Sequence, residues 1–508
     1  MSRTSRAVNS ILFGFVFRIV TILGPFITRI IVNWTLGKEF LGISGVFSSI
    51  LSMLCLTELG FSSAIAYKCY SLYANQDIKK LNAYLHFYRK IYRVVGSVII
   101  VAGVCVTPFL GLIVRDQLPV GLNMYIVYYI YLLNTAISYF IASYRTVILT
   151  VAQRQDIESK IAIVFNLLMY IVQIVVLLLC GNYYLYLLIL PLSTIIINVV
   201  RYYITNKIYP ELCPDGDISE EEKKSVYDSI TPLIGHRLQG TIVISADNII
   251  ISMFIGVVMV AEYNNYHTII AALSALIVAI YAAVQPGIGN SMATESIEKN
   301  YGDFNKFSFG LVWIVGWMSI SSLCLFQDFI GIAYGNDSIL PFSTVFLLVI
   351  QFYIWKTSDI IMTYRDVVGK WSGDALIPYV SGIFNLIINI LLVKFIGVNG
   401  VIISTILAFL LFSIPNSLRV LFRSVFKVPI FDFLKKYFAN TLLVVIAGVI
   451  TYALCLFVKI NNPWICLAIK ALICLIVPNI FLWLLWRNKQ EYVYFQEKLL
   501  NRIKNQNR

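Results

Sequence analysis

Charge is what this chain has least of. Of its 508 residues only 13% are Asp, Glu, Lys or Arg, while 59% are hydrophobic, and the mean hydropathy is +0.81. A soluble domain carries about 25% charged and about 45–50% apolar residues. A water-soluble globular class is therefore excluded, and an integral membrane protein is expected. Histidine is scarce, at three residues, and neither HExxH nor GxxxxGK[ST] occurs, which removes the common signatures of zinc hydrolysis and nucleotide binding. Nine cysteines are present but no CxxC, and most (Cys55, Cys105, Cys180, Cys324, Cys455, Cys466, Cys474) lie inside apolar runs. That spacing argues against a disulfide framework or a metal site and for small buried side chains. Acidic residues are outnumbered, 26 against 39 basic ones, for a net charge of +13. The excess is not a nucleic-acid footprint, because it is spread over short connections beside apolar runs.

What the chain does have is long hydrophobic stretches. A spanning helix needs roughly 20 mostly apolar residues, and fourteen stretches qualify, near 10–35, 41–68, 91–114, 122–150, 159–181, 183–206, 231–256, 260–290, 308–334, 340–364, 376–397, 399–422, 437–460 and 464–486. Between the fifth and sixth only Gly181 and Asn182 interrupt the run. The first is read as a retained span rather than a signal peptide, since it is long, carries Arg18 and Arg29 and lacks a small-x-small cleavage site. Lysine and arginine fall mainly in alternate connections and at both ends (Arg3, Arg6, Lys79, Lys80, Arg89, Lys90, Arg93, Lys223, Lys224, Lys435, Lys436). That bias places both termini in the cytoplasm.

Two stretches match without gaps. Laid over 230–266, residues 11–47 pair Ile11 with Ile230, Arg18 with Arg237, Ile30-Ile31 with Ile249-Ile250, Gly37 with Gly256 and Phe47 with Tyr266. An intramembrane arginine is costly, and its recurrence at one depth of two helices marks them as the opening helices of a duplication. The expected organisation is an all-α polytopic protein of about 14 transmembrane helices. It comprises a first lobe at 1–206, a linker at 207–230, a second lobe at 231–422, two further helices at 423–486 and an amphipathic tail at 487–508. Six spans per lobe make the repeats parallel, related by a pseudo-twofold axis along the membrane normal. In the linker, Ser219 followed three residues later by Glu222 fits a capping box, and the segment reads as a tether between lobes. In the tail, Tyr492, Phe495, Leu499 and Ile503 recur at helical spacing among basic residues, the pattern of a helix on an anionic membrane surface.

The two six-helix lobes, the ADNIIISMFIG…EYNNY stretch and the TLGKEFLGISGVFSSIL…ELGFSSAIAY opening resemble the polysaccharide and lipid-linked oligosaccharide flippases of the multidrug/oligosaccharidyl-lipid/polysaccharide exporter superfamily, along essentially the whole chain. Within that superfamily the chain resembles the bacterial O-antigen and capsule repeat-unit translocases. The resemblance implies a transporter, not an enzyme, in a bacterial inner membrane. It would carry undecaprenyl-pyrophosphate-linked sugars from the cytoplasmic to the outer leaflet and serve lipopolysaccharide or capsule synthesis. The implied partners are the lipid-linked oligosaccharide, membrane lipids and other polysaccharide-assembly proteins, with no nucleic acid. In lipid II flippase relatives two extra helices line a groove for the lipid tail, which would suit spans thirteen and fourteen.

Such a cargo asks for distinct side chains. A pyrophosphate calls for cations, above all arginine, whose fork matches phosphate oxygens; Arg18, Arg237 and Lys356 are the candidates for a clamp, against the alternative that each snorkels to headgroups. Arg29, eleven residues after Arg18 and about 20° away on the same stripe, is either a second phosphate station or an outward snorkel. Asp247 shares a face with His236 and is either a counter-ion or a coupling site for H+ or Na+; Glu58 and Asp359 pose the same choice. Tyr266, Asn264 and Asn265 are candidates for a sugar-stacking cavity wall. No cofactor is expected, and the membrane potential alone can assist an anionic cargo. The rival readings are a drug/cation antiporter, whose cavity should be led by carboxylates, and a membrane glycan polymerase or ligase, which would carry a sizeable outer loop.

Overall fold

The computed structural model describes residues 3–55, 60–116, 118–141, 143–369 and 376–497; the side chains of 3–12, 143, 229–239, 242 and 244 lie outside that description. The described residues form helices and no strand. In chain order these are α1 (Arg3–Thr35), α2 (Lys38–Leu54), α3 (Phe61–Ala74), α4 (Ile78–Val106), α5 (Leu110–Ile113), α6 (Met124–Phe140), α7 (Thr146–Val151), α8 (Gln155–Cys180), α9 (Tyr183–Ile208), α10 (Glu220–Phe254), α11 (Val257–Thr294), α12 (Ile297–Tyr334), α13 (Phe342–Val368), α14 (Ile377–Ile396), α15 (Val398–Ala408), α16 (Ile414–Leu421), α17 (Ile430–Phe457) and α18 (Pro463–Trp486). Eleven helical stretches among the described residues are long and apolar enough to cross a membrane. The other three expected spans correspond to α2–α3, α6–α7 and α10, which completes an all-helical, polytopic architecture of about fourteen crossings.

Local chemistry explains most boundaries. Gly181 turns the chain in the left-handed region, and Asn182 caps α9 by accepting from the amides of Tyr184 and Leu185, so two residues suffice between α8 and α9. The Ser219–Glu222 capping box forms in both directions. The matched glycines also share a role. Gly37 and Gly256 both adopt positive φ, 111° and 134°, at the breaks after α1 and α10, a conformation that costs a side chain-bearing residue far more than glycine.

Three expected spans are not single helices. Span two is interrupted at Gly60, whose φ of 102° is left-handed, so no α-helix can run through it. Span four breaks at an extended Ile141 before a 3₁₀ turn at Ser143–Arg145. In span twelve, α15 and α16 are joined by a π segment at Phe409–Ser413, and a second follows at Phe422–Phe426. Pro415 lacks an N–H and its ring collides with the carbonyl four residues earlier, so the helix widens around it.

The chain separates into two compact units, Met1–Ala261 and Glu262–Arg508. The division falls inside α11, so α10, which opens the second repeat, belongs to the first unit. There Asn248 donates to Ser49 on α2 (2.8 Å), Ser252 donates to the Ile113 carbonyl (2.7 Å), and Asp116 accepts from the Val257 amide (2.6 Å). The linker is strapped to α4 by Lys80–Glu222 and Lys90–Asp217 ion pairs.

In the second unit α18 is fastened to α12 by two indole donors, Trp313 to Asn479 and Trp317 to the Cys474 carbonyl, both 2.9 Å. Tail residues Tyr492 and Phe495 pack on Trp313 and Gly310 of α12. The apolar face expected on a membrane surface is thus covered by protein there, while Leu499 and Ile503 lie outside the described residues.

Candidate functional site

Of the expected cationic residues in the first unit, Arg18 stands exposed on α1. Arg29 stands on the same stripe and is half-buried. Its Nε is buried, and it lies within electrostatic range of the Tyr131 and Tyr186 phenols. Those phenols belong to an aromatic group in which Tyr131 bonds Ser44 (2.7 Å) and Tyr183 donates to the Phe40 carbonyl (3.1 Å). Arg237 and His236 lie in α10, but their side chains fall outside the described residues, as does all of Glu58. Asp247 is buried, 2% exposed, next to Asn248 and its bond to Ser49.

In the second unit Lys356 and Asp359 meet one turn apart on α13, 2.8 Å between Nζ and Oδ2, with the ammonium 4.3 Å from the Trp355 ring centre. Tyr281 donates to the Lys356 carbonyl. Asp359 is thus the counter-ion of Lys356 in this state, and the lysine does not present an unpaired charge. Tyr266 has no exposed surface. Its hydroxyl accepts from the Leu340 amide (3.1 Å) and its ring meets Phe326 edge-on, so it serves packing here rather than a cavity wall. Asn265 is buried beside it, and Asn264 is half-buried.

The second unit also holds an apolar groove of about 770 Å³ bounded by α12, α13, α16 and α17. Its floor holds two hydroxyl pairs that satisfy each other across α13 and α17, Tyr353 with Thr441 (2.8 Å) and Thr357 with Tyr437 (2.7 Å). Its rim exposes Phe438, Val445, Val449 and Leu456 of α17. Buried hydroxyls paired in this way leave a surface suited to hydrocarbon. Residues of α17 line this groove, whereas α18 packs against α12 and α17 and supplies none of its lining residues.

Sequence spacing also hid a cluster. Cys324, Cys455 and Cys474, from α12, α17 and α18, bring their thiols within 4.8 Å of one another in the buried core of the second unit. Their separations along the chain, 131 and 19 residues, carry no recognisable spacing, and only helix packing unites them.

Eleven apolar helices, cations placed within spans and an apolar groove describe a multi-pass membrane protein, and solved structures share its fold. A solved structure of "Lipid II flippase MurJ, inward closed conformation" matches with TM-score 0.69 at 15% identity, covering 94% of this chain and 99% of that one. The MATE multidrug transporter DinF-BH in complex with R6G matches with TM-score 0.59 at 14% identity, covering 84% and 96%. An inward-facing MATE family transporter of the MOP superfamily matches with TM-score 0.58 at 13% identity, covering 76% and 90%. At such identities these likenesses establish the fold, that of the multidrug/oligosaccharidyl-lipid/polysaccharide exporters. No curated protein matches by sequence. The family model described as "Polysaccharide biosynthesis protein" matches residues 7–292, more than half of the chain; the chain belongs to that family.

Proposed function

We propose that this protein carries an undecaprenyl-pyrophosphate-linked oligosaccharide repeat unit, of the O-antigen or capsule kind, from the cytoplasmic to the outer leaflet of a bacterial inner membrane. The observation that carries the reading is the groove of about 770 Å³ in the second unit. It is continuous, apolar and rimmed by exposed side chains, the surface a polyprenyl chain needs while its headgroup crosses. Membership of a polysaccharide biosynthesis family supports the glycan, and the whole-length likeness to a lipid II flippase supports a lipid-linked one. In this reading Arg18, Arg237 and Arg29 bind the pyrophosphate. In the second unit, Lys356 can meet an anionic group of the cargo when its bond to Asp359 opens. Asp247 is a counter-ion or an H+ or Na+ coupling site, and Asn264, Asn265 and Tyr266 reach the sugar in another conformation. The protein acts as a carrier rather than an enzyme, with both termini cytoplasmic and other assembly proteins as partners.

The test is a leaflet assay with lipid-linked oligosaccharide in proteoliposomes. Arg18→Ala and Arg237→Ala are expected to slow flipping at least tenfold, since each removes a charge-assisted bond to phosphate worth roughly 1.5–3 kcal/mol. Val445→Trp and Val449→Trp, which fill the groove from its rim, are expected to block a long-tailed substrate and spare a short-tailed analogue. Undiminished flipping in all four variants would overturn the proposal. The second reading, a drug/cation antiporter, is favoured by the likeness to multidrug transporters and would announce itself as transport of cationic dyes.

A further inference from the structure

A second polar recess lies wholly within the first unit. Arg89 and Arg93, one turn apart on α4, and Arg145, in the 3₁₀ turn after α6, converge on a cavity of about 580 Å³. Tyr144 and Tyr202 wall it, and Cys213 of the linker stands at its rim. Among the described residues no acidic side chain lines it. Three nearby carboxylates are paired with other cations: Asp217 with Lys90, Glu158 with Arg201 and Asp156 with Arg154.

Arg145 is the informative member. It is 3% exposed, yet its Nε and Nη1 are buried without a hydrogen-bond partner among the described residues. Its guanidinium carbon sits 4.5 Å from the Tyr202 ring centre and 5.8 Å from that of Tyr144, and that of Arg89 lies 6.0 Å from the Tyr144 ring centre. The aromatic faces stabilise the planar cations but accept none of their in-plane N–H bonds. A buried cation with unmet donors is costly, and three guanidiniums without a carboxylate repel one another. Both penalties are removed by one multi-oxygen anion, and the arginine fork is matched to phosphate. The recess is also apolar on one side, at Phe140 and Val199, and far roomier than a bare phosphate requires.

We propose that this recess is a binding site for a phosphate-bearing anion whose attached group rests on the Phe140–Val199 side. It shares no residue with the groove or with the candidate pyrophosphate clamp, so it is a separate site. The anion is either the headgroup of an acidic phospholipid or a soluble phosphate compound, and the two are separable by experiment.

Cys213 supplies the readout. In full-length protein in detergent, its rate of modification by a maleimide, followed by peptide mass spectrometry, is measured with phosphatidic acid, phosphatidylcholine, inorganic phosphate or pyrophosphate added. Phosphatidic acid alone protecting Cys213 several-fold supports the site and assigns it to lipid headgroups. Protection by phosphate or pyrophosphate supports the site and assigns it to soluble phosphate. Arg89→Ala/Arg93→Ala, on the exposed side of α4, is expected to weaken the protecting ligand roughly tenfold or more. Arg145→Lys, which keeps the charge and loses the fork, should weaken it to a lesser degree. Absence of protection by all three anions, or undiminished protection in the double variant, overturns the proposal.

Discussion

Lys356 and Asp359 neutralise each other inside a span, and that geometry fixes how they respond to change. Lys356→Met leaves the Asp359 carboxylate without its partner in a setting where the lysine is 5% and the aspartate 20% exposed. Breaking such a buried pair from one side costs about 3–5 kcal/mol. Removing both, as in Lys356→Met/Asp359→Leu, is expected to restore most of the loss, and thermal unfolding of the three purified proteins checks the ordering. At Gly42 the constraint is steric. A Cβ there would collide with the Val257 carbonyl oxygen, a backbone atom that cannot rotate away. Gly42→Ala is accordingly expected to lower stability by about 1–3 kcal/mol or more, whereas Gly14→Ala, which meets no neighbour, should leave the melting temperature unchanged.

Among the elements, the linker strap is the one that responds to acid. The Lys80 ammonium bonded to Glu222 holds that carboxyl below its ordinary 4.5, and Lys90 holds Asp217 below its ordinary 3.8. Carboxyls depressed by folding contribute stability above their ordinary values and lose it as pH falls through the folded ones. Amide hydrogen exchange across 209–219, corrected for its intrinsic pH dependence, should therefore quicken as pH drops from 6 to below 4; Lys80→Ala/Lys90→Ala should show the quickened exchange already at neutral pH. The elements also show what periodicity can and cannot reveal. The two-residue turn at Gly181–Asn182 and the Ser219–Glu222 cap were legible because each is written within four residues of sequence. The break at Gly60 was not, because a glycine in an apolar run reads the same whether its φ is negative or positive. Nor was the partnering of α10 with α2. Asn248 and Ser49 are 199 positions apart, and nothing in either helix names the other.

For the molecule as a whole, the same division holds. Hydropathy revealed a polytopic all-helical fold. The apolar groove, the thiol cluster and the arginine recess each depend on three or more helices meeting and were invisible in sequence. A pyrophosphate cargo crossing outward is driven by about 2.3 kcal/mol per charge per 100 mV of inside-negative potential. A valinomycin-set potassium gradient in proteoliposomes should consequently accelerate flipping when negative inside and retard it when reversed. Equal rates under both polarities would mean that compensating ions travel with the cargo.

The thiol cluster also constrains how this protein can be prepared for spectroscopy. A cysteine-free background made in the habitual way, with serine at every position, would set three hydroxyls against Val444, Ala447 and Leu482 in a core that offers them little. Alanine or valine at 324, 455 and 474, with serine kept for the exposed Cys105, Cys180 and Cys213, is the combination that should leave the fold intact and a probe free to report.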